Sequence, residues 1–517
     1  MYSKKYYFRD MLLLIALALI SFGINCFPGT KIDTVKTIDF NSAFKTSLGD
    51  ITLVKIGDKK ITVREFICSY EFGPSFTKRE QNSKKRYLNY MINEKLLALD
   101  GLGKGFADSS QVKELLSAIK SDITTEQMFE DDIMQNVTIP SSELNTGVIE
   151  KEITCRIKWL YAPDTDSLNY YITGIKKGMS FDSLFNEQLK DSVFADQRSL
   201  EKDKLQFKIE NPEMFSTVNT MKPGEISNPI KGRDGWYIVK LINIWRNAIT
   251  TATRRDKELY DVKKALTLSK SDSLSDIYVR KLMLAHNPVI QAKVFDILRS
   301  YIGNYVLNPD KFKSWNLDER MQNELKNFDS LKPQDYADLK LVVLNDQSFT
   351  LTDFINWYKM RDEYLKFNES SFNAFSASLE KLIWKMVRDN LLTELAYSRG
   401  YQDKEIVKQQ LNWWQDKIIY AVVRDEIGNS IGLDIEKPSS SKGDYDDKKQ
   451  DLITKTFRKL QQLKKKYQIE IDEKILDKII VQDNNNPRAV DFYFVRKGGI
   501  FPHPVYPSID FVWHDWE

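Results

Sequence analysis

Residues 53–70, LVKIGDKKITVREFICSY, recur 288 positions later as residues 341–358, LVVLNDQSFTLTDFINWY. The identical pairs include Leu53 and Leu341, Val54 and Val342, Asp58 and Asp346, Thr62 and Thr350, Phe66 and Phe354, and Tyr70 and Tyr358. A second set lies 295 positions apart and pairs Met91 with Met386, Leu96 with Leu391, Leu97 with Leu392, Gly105 with Gly400, Val112 with Val407, and Lys113 with Lys408. Self-similarity at a nearly fixed spacing indicates that one structural unit is used twice.

Each copy has the pattern of a short hairpin followed by amphipathic helices. Residues 51–61 alternate in polarity and carry a turn signal at Gly57-Asp58-Lys59, which predicts two paired strands. A helix is then expected to begin at Thr62, because Glu65 lies three residues on, as in a capping box. Gly105 and Gly400 each follow a predicted helix, so they are interpreted as left-handed terminating glycines and not as part of a phosphate-binding loop.

A weaker echo relates residues 289–298, VIQAKVFDIL, to residues 469–479, IEIDEKILDKI, at a spacing of only about 180. The shorter spacing predicts that the first copy contains an insertion of about 115 residues that the second lacks. This insertion is placed at residues 137–246.

The inserted segment carries the most specific motifs of the chain. Residues 152–162 have the pattern of a strand, and residues 178–184, GMSFDSL, have that of a helix start. Residues 222–230, KPGEISNPI, and residues 234–241, DGWYIVKL, follow. In order and spacing these segments resemble the parvulin family of peptidyl-prolyl isomerases, which shows a GxxFxxL segment, a PGEIS-P turn and a final strand of the same form.

With two helical copies around this segment, the chain resembles an exported foldase of the SurA/PrsA type. The resemblance is closest over residues 51–298, and for the second copy it concerns the helical module alone. The fold class it implies is α+β, with two mostly helical chaperone-like modules, the first carrying an inserted parvulin-like α/β domain.

The predicted domain division follows the repeats. It comprises a signal peptide (1–25), a polar leader (26–50), the first part of module 1 (51–136), the parvulin-like domain (137–246), the second part of module 1 (247–300), a connecting segment (301–340), the first part of module 2 (341–430), a linker (436–450), the second part of module 2 (451–482) and a tail rich in aromatic residues and proline (483–517).

The resemblance assigns site residues, although both family histidines are missing. Lys158, or Ile157 one residue out of register, fills the first-strand histidine position, Tyr237 fills the last-strand position, and Asp191 corresponds to the acidic position. Leu205, Phe207, Met214 and Phe215 correspond to the proline pocket. Rotation about an X-Pro bond faces a barrier of about 18 to 20 kcal/mol and breaks no bond. An apolar pocket can therefore act without a general acid or base, so weak catalysis and a purely structural, degenerate site both stay open.

The N-terminus has the pattern of an export signal, with a basic segment followed by an apolar run at residues 11–22, MLLLIALALISF. Cys26 lies just after this run, where a bacterial lipoprotein carries its acylated cysteine. The residues before it fit the lipidation motif poorly, so a lipid anchor on the membrane and simple cleavage into a periplasm-like space are both open. Cys68 and Cys155 lie on a predicted helix and a predicted strand, and we interpret them as small core residues.

Composition excludes several classes of function. The 76 basic residues nearly cancel the 73 acidic ones, which argues against nucleic acid as a partner. The chain has three histidines and neither an HExxH nor a CxxC motif, so no metal site is expected. No cofactor or nucleotide motif is present, which disfavours a small-molecule enzyme.

Two functional hypotheses follow. In the first, the protein is an exported chaperone and foldase that binds unfolded or nascent envelope or secreted proteins, with an isomerase domain of weak or absent activity. In the second, it is a non-enzymatic envelope assembly or scaffold protein that uses the parvulin fold as a binding surface.

The tail alternates aromatic residues with proline. This composition predicts an extended, docked segment, because proline disfavours helix and aromatic side chains are stabilised by burial. The tail is expected either to pack as a strap on the chain's own helices or to occupy the client-binding surface as a built-in pseudo-substrate.

Overall fold

A computed structural model describes residues 37–73, 78, 82–190, 195–232, 234–247, 252–328, 333–362, 365–433, 442–481, 506–510 and 512–516. The chain forms two compact units: of the described residues, unit 1 contains those within 37–120, 403–481 and 506–516, and unit 2 contains those within 121–402. The predicted export segment with Cys26, and the predicted site residue Asp191, lie outside the described residues. Within the described ranges, no helix is both long and apolar enough to cross a membrane.

The described residues are mostly helical, with three small sheets, which agrees with the predicted α+β class. The first helices are α1 (Phe40–Lys45), α2 (Val63–Phe72), α3 (Ser83–Gly103), α4 (Ser110–Asp132), α5 (Ser141–Glu152), α6 (Thr165–Lys176), α7 (Phe181–Leu189), α8 (Lys204–Glu210), α9 (Pro212–Val218) and α10 (Ala252–His286). They are followed by α11 (Ala292–Val306), α12 (Pro309–Ser314), α13 (Leu317–Leu325), α14 (Leu351–Lys359), α15 (Phe372–Ser398), α16 (Glu405–Asn429), α17 (Lys442–Lys466), α18 (Glu473–Lys478) and α19 (Val512–Asp515). The strands are β1 (Thr52–Ile56), β2 (Lys59–Thr62), β3 (Ile153–Ala162), β4 (Ser199–Asp203), β5 (Ile230–Lys231), β6 (Trp236–Arg246), β7 (Val289–Ile290), β8 (Lys340–Val343), β9 (Ser348–Thr350) and β10 (Ile469–Ile471).

The sequence repeat corresponds to a repeated local structure. β1 and β2 form an antiparallel hairpin that leads into α2, and β8 and β9 form one that leads into α14. Both helices begin with a capping box, made by Thr62 with Glu65 in unit 1 and by Thr350 with Asp353 in unit 2. The hairpin and the helix start predicted for residues 51–62 are therefore confirmed, and the structure shows the same arrangement in the second copy.

Replacing Thr62 with alanine is expected to destabilise unit 1 by about 1 kcal/mol. The Thr62 hydroxyl accepts the backbone N–H of Glu65 at 3.1 Å, and Thr62 is 5% exposed, so water does not readily replace the lost bond. Urea unfolding followed by circular dichroism measures the loss. Thr62→Ser keeps the hydroxyl and should retain most of the stability; equal losses in both variants would show that the cap is not the cause.

The two terminating glycines have the predicted conformation. Gly105 follows α3 with φ of 78°, and Gly400 follows α15 with φ of 75°. A backbone in this left-handed region favours glycine, which carries no Cβ. The glycines therefore end helices, as their positions after helical segments predict.

The strands that complete the two hairpin sheets are exchanged relative to the expected modules. Residues 247–300 were expected to complete module 1 and residues 451–482 module 2. In the structure β10 pairs with β1, Val54 opposite Ile471, whereas β7 pairs with β8, Ile290 opposite Val342. Each closing strand thus pairs with the hairpin of the other expected module. Strands of two or three residues carry too little side-chain pattern to specify which of two similar edges they join.

The third sheet belongs to unit 2 and has the order β4-β3-β6-β5, antiparallel throughout. It lies within the segment predicted to be the parvulin-like domain. One face packs against α8 and α9 through Phe207 and Phe215, and the other packs against α6 and α7 through Leu168 and Leu184. Cys155 is buried on β3, as Cys68 is on α2, in agreement with their interpretation as core residues.

The described end of the tail packs on unit 1, and both alternatives for the tail predict such a docked segment. The ring of Tyr506 stacks on Phe72 and on Trp413, and Trp513 is 1% exposed. The tail was expected to be extended throughout, and this is wrong at its end, where α19 forms one helical turn. The last proline of the tail, Pro507, precedes α19 and therefore does not interrupt it.

Candidate functional site

The candidate site lies on the sheet of unit 2, where strand alternation decides which side chains can meet. Successive residues of a strand point to opposite faces. Ile157 on β3 and Val239 on β6 belong to the cluster that contains Phe207 and Phe215, and this side is called the pocket face. Leu160 and Ile238 belong to the cluster on the other side, called the opposite face.

Three of the four predicted proline-pocket residues meet on the pocket face. Phe207 of α8 and Phe215 of α9 contact edge to face, with ring centroids 5.6 Å apart, and Met214 packs against the same cluster. Phe207 is fully buried and Phe215 is 7% exposed, so both rings lie in the core beneath this face of the sheet. Leu205 is not part of it, because its side chain packs with Val262 and Leu266 of α10.

The two positions that replace the family histidines are not brought together. Tyr237 packs at the edge of the pocket-face cluster. Lys158 belongs to the opposite face, where its Nζ lies 5.0 Å from the centroid of the Phe185 ring. Ile157, the position one residue out of register, is the one that shares a face with Tyr237, and it is an apolar, fully buried residue.

Tyr161 is a site residue that the sequence analysis missed. It lies directly opposite Tyr237 in the pairing of β3 and β6, and the two rings are 5.4 Å apart. Its hydroxyl donates to the backbone carbonyl of Asp234 at 2.5 Å, and the hydroxyl of Tyr237 donates to the Asp234 carboxylate at 2.7 Å. The register of β3 on β6 identifies Tyr161, and the sequence alone does not supply this register.

The environment of Tyr237 keeps its hydroxyl protonated. Burial, followed by the hydrogen bond to Asp234, raises the pKa of the Tyr237 phenol above its ordinary value. At neutral pH the phenol therefore acts as a hydrogen-bond donor, and it is a poor general base. Among the described residues, this arrangement offers a hydrogen-bond donor beside a buried apolar cluster and brings together no pair of groups suited to proton transfer.

The PGEIS segment continues the sheet beyond β5. The amide of Gly224 donates to the Leu241 carbonyl at 2.7 Å, and the amide of Leu241 donates to the Glu225 carbonyl at 3.1 Å. The amide of Ser227 donates to the Val239 carbonyl, and its hydroxyl accepts the amide of Val239 at 2.9 Å. The turn and the last strand, which carry the family resemblance, are thus hydrogen-bonded to each other next to Tyr237.

Among the described residues, no group of three or more His, Cys, Asp or Glu side chains is placed to hold a metal ion. Asp191, the predicted acidic position, lies outside the described residues.

Several solved structures have detectable similarity to the chain. The peptidylprolyl isomerase PrsA of Bacillus anthracis shares 14% identity, with 47% of this chain and 98% of that one covered and a TM-score of 0.23. The foldase protein PrsA of Streptococcus pneumoniae shares 14% identity, with coverages of 46% and 94% and a TM-score of 0.22. A SurA-like chaperone of Campylobacter jejuni shares 15% identity, with coverages of 46% and 98% and a TM-score of 0.19.

TM-scores this low do not establish a common arrangement of the whole chain. No protein-family model matches the sequence, and comparison with curated proteins also finds no match.

Proposed function

We propose that the protein is an exported chaperone and foldase that binds unfolded or nascent envelope or secreted proteins. In this proposal residues 137–246 form a parvulin-like domain whose prolyl isomerase activity is weak or absent. The hairpin-and-helix repeat and the PGEIS turn paired with β6 support the proposal. Export, with or without a lipid on Cys26, is part of the proposal.

The main support for weak or absent isomerase activity is that Lys158 and Tyr237 lie on opposite faces of the sheet. In this proposal the rim of the apolar cluster, at Met214 and Phe215, receives a proline ring, and among the described residues no acid and base flank it. We therefore expect the domain to bind proline-containing segments but to catalyse their cis-trans isomerisation slowly or not at all.

Isomerase activity toward X-Pro peptides is expected to be at least about ten-fold below that of a parvulin with both histidines. A protease-coupled assay on the full chain measures it, and light scattering of a denatured client protein in the same preparation measures suppression of aggregation. We expect this preparation to suppress client aggregation measurably although its isomerase activity is low. If a several-fold excess of the protein over the denatured client did not suppress aggregation, the proposed chaperone function would be wrong.

Tyr237→Phe is expected to leave the residual isomerase activity unchanged, because the phenol does not serve as a base. The variant removes only the hydrogen bond to Asp234 and keeps the ring in place. Robust activity in the native protein that disappears in this variant would show that the hydroxyl is catalytic.

A second candidate is a non-enzymatic assembly protein that uses the parvulin fold as a binding surface. The protonated, hydrogen-bonded Tyr237 and the buried Ile157 favour it, because both suit a stable surface more than a reacting site. Under this candidate the protein would bind folded partners and leave the aggregation of denatured clients unchanged.

A further inference from the structure

The surface of unit 1 that receives the C-terminal segment carries specific polar contacts as well as apolar ones. The segment, residues 506–510 and 512–516, is called the strap. The surface under it, called the strap groove, is lined by Tyr87 and Tyr90 of α3 with Glu94, and by Trp413, Tyr420 and Arg424 of α16.

Two aromatic side chains anchor the strap at its ends. Tyr506 stacks between Phe72 and Trp413, with ring centroids 5.6 and 6.2 Å away. Trp513 stacks on Tyr90 and on Tyr420, both at 6.1 Å. Large rings with both faces covered account for most of the apolar surface that such a segment buries.

Between these anchors, charged side chains of the groove form hydrogen bonds and an ion pair with the strap. One oxygen of Glu94 accepts the backbone N–H of Asp510 at 2.7 Å and the indole N–H of Trp513 at 2.9 Å. The Asp510 carboxylate forms an ion pair with Arg424 and accepts the hydroxyl of Tyr420 at 3.1 Å. These contacts are complementary to a carboxylate that lies three residues before a tryptophan.

Both charged groups of the groove also have partners outside the strap. Glu94 also accepts Lys417 at 2.8 and 2.9 Å, and Arg424 also binds Asp425 at 2.9 Å. Removing one partner of a buried ion pair is costly because it leaves an uncompensated charge. Here release of the strap leaves both Glu94 and Arg424 with a partner, and the aromatic surface becomes open to another segment.

We infer that the strap groove is a peptide-recognition site for unfolded segments in which an acidic residue lies three positions before a tryptophan and an aromatic residue lies four positions before the acid. The chain's own C-terminal segment is the resident ligand, and client segments of this pattern bind in its place. The inference rests on the proposed function, because it names the class of client that the chaperone takes.

The direct test uses a fluorescein-labelled peptide of residues 504–517, PVYPSIDFVWHDWE, and the chain truncated after His503. Anisotropy is expected to show saturable binding to the truncated chain and at least about ten-fold weaker binding to the full chain, in which the strap competes. The same peptide with Asp510→Asn or Trp513→Ala should lose about ten-fold in affinity. A natively folded truncated chain that does not bind, or that binds a scrambled peptide equally well, would overturn the inference.

Full-length variants keep the test decisive if the truncated chain does not fold. Asp510→Asn in the full chain removes the ion pair with Arg424 but keeps the aromatic anchors, so this variant should bind the labelled peptide more tightly than the native chain does. Arg424→Gln should weaken peptide binding to that variant, and Arg458→Gln, an exposed change on α17, should not. Unchanged peptide binding in the full-length Asp510→Asn chain would count against a displaceable strap.

The client class is tested by a competitor peptide that keeps only the tyrosine, aspartate and tryptophan of the pattern, with alanine and serine elsewhere. Displacement of the labelled peptide supports the pattern, whereas no displacement would restrict the groove to the chain's own tail and reject client entry. Peptide binding without suppression of client aggregation would refute the proposed chaperone function and leave the ligand class standing. Suppression by a chain that does not bind the peptide would refute this inference alone.

Discussion

Replacing Asp416 with alanine is expected to destabilise unit 1 by about 3 to 5 kcal/mol, because it leaves a buried ammonium group without its main partner. The Asp416 carboxylate accepts Lys95 at 2.9 Å and Lys59 at 3.0 Å, and the side chains of Asp416 and Lys95 are 7% and 8% exposed. Burial alone would lower the pKa of Lys95, but the carboxylates of Glu65 and Asp416 outweigh it and raise the pKa. The lysine is therefore charged in the folded state at neutral pH.

Thermal and urea unfolding of the full chain measure this loss. The matched control replaces both partners, Lys95→Met with Asp416→Leu, and should lose less than Asp416→Ala because both members of the most buried ion pair are removed together. A second control, Lys85→Ala, removes an ion pair with Glu473 in which both side chains are at least half exposed, and it should have little effect. If Asp416→Ala were no worse than Lys85→Ala, the buried pair would not contribute to stability.

Phe207→Ala is expected to destabilise the sheet-bearing part of unit 2 by about 3 to 5 kcal/mol. Phe207 is fully buried, and its ring contacts Phe215 edge to face on the pocket face of the sheet. Alanine removes this contact and leaves a cavity between α8, α9 and the sheet. The far-UV circular dichroism of the full chain follows the transition, and Trp159 beside the same cluster adds a fluorescence signal to that of the other nine tryptophans.

This prediction separates a core residue from a pocket residue. Phe207→Leu should lose less stability than Phe207→Ala, because most of the buried volume is retained. Any binding of proline peptides should fall in parallel with folding in both variants. Loss of peptide binding in a Phe207→Ala protein of unchanged stability would instead place the ring in an accessible pocket.

Local features were predictable from the sequence, and long-range pairing was not. The capping box at Thr62 and the left-handed Gly105 and Gly400 each depend on residues within about one turn of chain, so their patterns were sufficient. The partner of β10 depends on three residues that contact a distant hairpin, and nothing local specifies that choice.

The candidate site shows the same limit at single residues. A shift of one residue along β3 moves Lys158 to the opposite face and brings Ile157 to the face of Tyr237. Two residues apart on α8, Leu205 and Phe207 lie about 200° apart around the helix, so they cannot line one pocket. Tyr161 was missed because only the pairing of β3 with β6 places it opposite Tyr237, and the sequence alone does not give this pairing.

The exchanged closing strands also set an order of events during synthesis. Every strand and helix of the second hairpin sheet lies within residues 121–402, so that sheet can close while later residues are still being added. The first hairpin is made earliest, yet its edge partner β10 is among the last elements to emerge, and long-range pairing of this kind slows folding. Until then the edge of β1 is unpaired, and a newly made chain is itself a protein with an exposed strand that needs protection from aggregation.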